Sequence, residues 1–121
     1  MLQRYALALS LLALSPVSAD AAGPMTLADL QQMCIATDEP SQNACQFFIF
    51  GVALGADTAA AQLGDHTHYC VPERMSAQAI TFAVKKAIGE DLMFFPKDRE
   101  MPAVSFVMAA VMKSFPCDKK H

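Results

Sequence analysis

The sequence predicts a small all-α domain of four main helices stapled by two disulfides. Three observations lead there. Apolar residues recur at the helical period in four segments, each opened by a capping side chain or a proline and closed by glycine or proline. No strand-like alternation of useful length, internal repeat or low-complexity tract occurs between them. Four cysteines, Cys34, Cys45, Cys70 and Cys117, follow an N-terminal segment with the pattern of an export signal, and an even count in a short exported chain implies a disulfide framework.

The N-terminal segment carries one basic side chain, Arg4, and then an apolar run from Ala6 to Leu14 broken only by Ser10. Pro16 ends the run, and Val17-Ser18-Ala19 places small residues where a signal peptidase reads them, so cleavage is expected after Ala19, with Ala21 or Ala22 as the neighbouring option. A membrane anchor is the rival reading, but the run is much shorter than the roughly 20 residues that cross a bilayer. The chain thus divides into a signal peptide, residues 1–19, and one domain, residues 20–121. Nine basic and twelve acidic residues give a formal net charge of −3, which becomes −4 once Arg4 is removed. That sign argues against nucleic acid or an anionic membrane as the main partner.

Thr26 and Asp29 have the spacing of a capping box, which opens a first helix over residues 27–37 with Leu27, Leu30 and Cys34 on its buried face. Asp38-Glu39-Pro40 is expected to stop it. Ser41 can cap a second helix, residues 42–62, whose stripe is Cys45, Phe48, Ile49, Val52 and Ala56, with Phe47, Phe50 and Leu54 on another face. A helix apolar most of the way round is expected at the centre of the domain. Within it Gly51 and Gly55, with Ala59, repeat a small residue every fourth position. Each glycine costs about 1 kcal/mol against alanine, so the pair is expected to admit a close backbone, either within the chain or across a homodimer seam.

Gly64 ends the second helix, and Ser76 caps a third over residues 77–88 with Ile80, Ala83, Val84, Ala87 and Ile88 inward and Gly89 as its left-handed terminator. Residues 90–101 then read as a connection that Pro96 keeps out of a regular helix. Pro102 opens the fourth helix, with Val104, Val107, Met108, Val111 and Phe115 inward and Pro116 ending it.

Cys34 falls in the last turn of one helix and Cys45 in the first turn of the next, so a short corner can join them, leaving Cys70 for Cys117. Three connectivities exist for four cysteines, and this one is preferred. Zinc is the rival use, but no pair has the C-x(2-4)-C spacing of zinc sites. No cofactor or metal is expected.

The order Cys34, Cys45-Gln-Phe-Phe-Ile-Phe-Gly51-Val52, Tyr69-Cys70-Val71-Pro72 and Phe115-Pro116-Cys117 resembles the Rap/Tai family of periplasmic immunity proteins of type VI secretion systems. The similarity covers essentially the whole domain; its most specific pieces are Phe48 with Gly51, the aromatic-Cys-x-Pro block and the terminal Phe-Pro-Cys. The resemblance implies a small helical protein that binds and inhibits a peptidoglycan amidase effector. Phe48 stands where the family leads one to expect tyrosine, and the connection over residues 92–100 is longer and more apolar than usual, which bears on partner choice.

An enzyme needs converging nucleophile, base and orienting groups. Asp65, His66 and His68 are the one cluster that invites that reading, and a solvated polar loop is preferred; His121 belongs to the tail. No G-x-S-x-G or H-E-x-x-H pattern occurs, and the chain is read as a binding protein. Two candidate contact segments follow, residues 65–69 with Asp65, His66, His68 and Tyr69, and residues 92–100 with Phe94 and Phe95 as anchors. A fold in which Phe94 and Phe95 turn back to cap the bundle is slightly preferred to their exposure. The alternative function is a periplasmic binding or chaperone-like protein with no toxin partner, for which eight methionines supply adaptable surface.

Overall fold

A computed structural model describes residues 23–64, 70 and 75–117. It contains α1 (Leu27–Ile35), α2 (Glu39–Gln62), α3 (Ala77–Phe94), a short 3-10 helix η1 (Pro96–Glu100) and α4 (Ala103–Ser114), and the described residues form no strand.

The capping box that opens α1 is present: the Asp29 amide donates to Thr26 Oγ1 at 3.2 Å, and the Thr26 amide donates to Asp29 Oδ2 at 3.0 Å. A second device holds the same end. The first amide of α1, on Leu27, donates to the Met101 carbonyl at 2.9 Å, and the first amide of α4, on Ala103, donates to the Met25 carbonyl at 2.8 Å. Two helices that each begin with an orphan donor satisfy one another through a bridge between Thr26 and Pro102.

α1 ends at Ile35, short of the expected residue 37, and Asp38-Glu39-Pro40 instead starts α2, three residues before the expected residue 42. Asp38, and not Ser41, is the cap: its Oδ2 accepts from the Ser41 amide at 3.0 Å and from the Ser41 hydroxyl at 2.7 Å. Pro40 sits in the first turn, where a missing amide costs nothing. The consequence is a tight corner across which Cys34 and Cys45 are bonded, with Cα atoms 5.1 Å apart. Cys70 is bonded to Cys117, so the preferred connectivity is the one found.

The core takes Leu27, Leu30 and Cys34 from α1, Cys45, Ile49 and Ala53 from α2, Ile80, Val84, Ile88 and Leu92 from α3, and Ala103, Phe106, Val107, Ala110 and Val111 from α4. Burying each of the larger side chains stabilises the fold by roughly 1.5–3 kcal/mol. All four α-helices touch one another, which makes a single bundle.

Four expectations need correction. The second helix is not covered on several sides: it buries one face, while Phe47 is 73% exposed and Leu54 47% exposed. By length and composition α2 could cross a membrane, and its Cys45, Ile49 and Ala53 face is the part packed into the common core. Gly51 and Gly55 are both exposed, and a Cβ built on either would meet nothing within 4 Å, so the close approach expected within the chain does not occur.

The third helix runs past Gly89, which keeps an ordinary helical backbone; Gly64, at φ 70°, is the one left-handed residue among those described. The reason is Leu92, which continues the Val84, Ile88 spacing by a further turn and is buried with them. In α4 the buried face is rotated by about one residue: Ala103, Phe106 and Ala110 are inside, whereas Val104 and Met108 face outward. The small side chains of Ala103 and Ala110 take the packed face, and the larger Val104 and Met108 stay outside it.

Candidate functional site

Helix α3 ends because Pro96 has no amide to extend it. The Phe95 amide still donates to the Asp91 carbonyl at 2.7 Å, and the Phe95 carbonyl then accepts from the Asp98 amide at 3.0 Å as η1 begins. The chain therefore turns sharply between the two helices. Leu92 points into the core, and the next three side chains fall on the remaining faces of the last turn: Met93 is 74% exposed, Phe94 73% and Phe95 61%. The expectation that Phe94 and Phe95 fold back over the bundle is thus overturned.

Beside this corner, between α3 and α4, lies a cleft of about 380 Å³ lined by Glu90, Asp91, Phe94, Phe95, Phe106 and Lys113, with a floor of alanines. Ala87, Glu90, Ala110 and Lys113 also line a second hollow that extends toward the exposed ring of Phe82. The charges here are mixed. Lys86 and Glu90, one turn apart on α3, approach to 3.8 Å as a solvated pair that contributes little to stability. Asp91 differs, because its Oδ2 is shut off from water and accepts no hydrogen bond. Burial pushes the Asp91 carboxyl above the ordinary carboxylate range, and the neighbouring Asp98 carboxyl adds to the rise; Lys113 across the cleft opposes it.

Of the residues singled out in the sequence, Phe94 and Phe95 belong to this cleft. Asp65, His66, His68 and Tyr69 lie outside the described residues. All four cysteines are in disulfides and none is available as a thiolate. The described residues contain no group of three His, Cys, Asp or Glu side chains that could hold a metal ion. Sequence reasoning missed Asp91, Phe106 and Lys113, since it ended α3 before Asp91 and turned α4 by one position. The i, i+4 step from Ile88 to Leu92 was the available signal.

The chain is a small helical bundle stapled by two disulfides, with exposed aromatic side chains at the corner between α3 and η1. Residues 26–117 match the family model of Rap1a immunity proteins, and the chain belongs to that family. The match opens on the Thr26 cap of α1 and closes on the second disulfide, so it includes every helix of the bundle. No curated protein sequence and no solved structure matches the chain. Family membership makes this an immunity-type protein directed against a secreted effector, in a family that is generally non-enzymatic.

Proposed function

We propose that the chain is a periplasmic immunity protein that binds and inhibits a peptidoglycan amidase delivered by type VI secretion, with the corner between α3 and η1 as its inhibitory surface. The observation that carries this reading is the run Met93-Phe94-Phe95, three consecutive large apolar side chains held outward by a proline-stopped helix. Exposed apolar side chains of this size on a rigid element are typical interface anchors. Two disulfides and the export-like leader fit a protein that works in an oxidising compartment outside the cytoplasm.

The test is protection. Cells that produce the hydrolase encoded beside this gene in their periplasm should survive when the chain is co-produced with its leader. The purified pair should bind, and a Phe94→Ala, Phe95→Ala double variant should bind at least tenfold more weakly while melting like the parent. Lysis in spite of the intact chain, or full affinity in the double variant, would sink the reading or move the surface elsewhere.

A further inference from the structure

All four cysteines of the chain are bonded in pairs and the sequence contains no tryptophan, so its methionine thioethers are its most readily oxidised groups. A thioether has no proton to lose, and access to the sulfur sets how fast an oxidant converts it. Access differs sharply along this chain. Met25, Met33, Met75 and Met101 are half-buried against the core, and Met112 is half-buried on α4. Met108 is 37% exposed, whereas Met93, in the last turn of α3, is 74% exposed. Met93 stands outward because Leu92 takes the inward position and Pro96 ends the helix before another turn can cover it. The two residues that follow it, Phe94 and Phe95, face outward as well.

We propose that Met93 is a modification site, oxidised to the sulfoxide by hydrogen peroxide ahead of the other described methionines, and that this oxidation switches off the corner between α3 and η1 as a partner-binding surface. The second half rests on the inhibitory role proposed for that corner. The step is an oxygen-atom transfer. The sulfur lone pair attacks one peroxide oxygen, an S–O bond forms and the O–O bond breaks; the proton left on the transferred oxygen passes to the departing hydroxide, which leaves as water. Sulfur is oxidised by two electrons and the peroxide is reduced by two. The product replaces a flexible apolar side chain by a polar one carrying an acceptor oxygen. In the free chain that oxygen is hydrated at an exposed position, so the fold keeps its stability. In a complex it must shed its water beside phenyl rings that offer no hydrogen bond, so the cost falls on binding.

The experiment treats the leader-free chain, disulfides intact, with a limiting dose of hydrogen peroxide and follows each methionine by peptide mass spectrometry. Sulfoxide should form at Met93 about fivefold faster than at Met25, Met33, Met75, Met101 and Met112, and about twofold faster than at Met108. The fraction oxidised at Met93 should melt within about 2 °C of the untreated chain and bind the hydrolase encoded beside this gene about tenfold more weakly. Met93→Leu should bind like the parent and keep its affinity through the peroxide treatment, and Met93→Gln, which places a polar group there without oxidation, should bind about tenfold more weakly. Oxidation of Met93 no faster than of the half-buried methionines, full affinity in the Met93 sulfoxide, or a loss of affinity that persists in Met93→Leu would overturn the proposal. If the untreated chain does not bind that hydrolase, the immunity reading fails, and the order of oxidation still decides whether Met93 is the modification site.

Discussion

Replacing Gly51 and Gly55 by alanine should stabilise this protein, and the amount follows from the structure. Both residues lie inside α2 with helical backbone, both are exposed, and an added methyl group at either meets no atom within 4 Å. With no steric cost to subtract, the change reduces to helix propensity, about 1 kcal/mol per site. Two sites give about 2 kcal/mol, and in a domain of about 100 residues each kcal/mol moves the melting temperature by about 4–8 °C. The double variant should therefore melt roughly 10 °C above the parent. Thermal unfolding followed by circular dichroism, repeated over a hundredfold range of protein concentration, measures it. A double variant no more stable than the parent would refute the reasoning, because it would mean that another backbone lies on this face. A homodimer seam through the glycine stripe would produce that result and would also make the parent's melting temperature depend on concentration.

Other perturbations follow from the same structure. Thr81 is buried in α3 with its hydroxyl unpartnered, so Thr81→Val should raise stability by about 1 kcal/mol in urea titrations, the reverse of the usual penalty for changing a core residue. Loss of a disulfide tests whether loop length or burial governs: with alanine pairs, removing Cys70–Cys117 should cost about 4 kcal/mol and removing Cys34–Cys45 about 3, although the second pair is the more buried. An inverted order would show that burial dominates. Stability should also respond to acid in two opposed phases. The Thr26 amide holds the Asp29 carboxyl below the ordinary 3.8, and the Ser41 hydroxyl does the same for Asp38, so their contributions are complete above 3.8 and fade as pH falls through the depressed values. Asp91 is raised, so its contribution is complete below 3.8 and is lost as pH climbs through its elevated value. Urea midpoints between pH 7 and pH 2 should show a gain and then a loss, and Asp91→Asn should abolish only the gain.

Much of the fold can be read from short-range chemistry. Thr26 with Asp29, Ser76 with Ala79, and the corner that joins Cys34 to Cys45 depend on neighbours three to eleven residues apart, and each is found as read. What escaped depends on competition between faces. Almost every position of α4 from Ala103 to Val111 is apolar, so periodicity alone does not say which stripe faces in, and the stripe through Ala103, Phe106 and Ala110 is the buried one. Gly64 and Gly89 each follow an apolar run, and the difference between a terminator and a helical glycine rests on Leu92, three residues beyond the second. The candidate site was half legible for the same reason. Phe94 and Phe95 stand out as a cluster of large apolar side chains in any reading. Their partners across the cleft, Phe106 and Lys113, come from α4, and only the packed orientation of that helix brings them to Asp91.

The first cysteine of this protein is bonded to the second and the third to the fourth. For a polypeptide delivered amino end first into an oxidising space, that order settles the chemistry by arrival. Cys45 meets Cys34 before any other thiol has emerged, and by the time Cys117 arrives Cys70 is the one still unspent. Oxidation during delivery thus runs to the native pairing with no wrong bridge to undo by slow thiol exchange. A chain reduced and unfolded in a test tube loses that advantage and must sort among three pairings. Recovery from full reduction should therefore be slower than first synthesis, for a reason written in the order of the cysteines rather than in the packing of the helices.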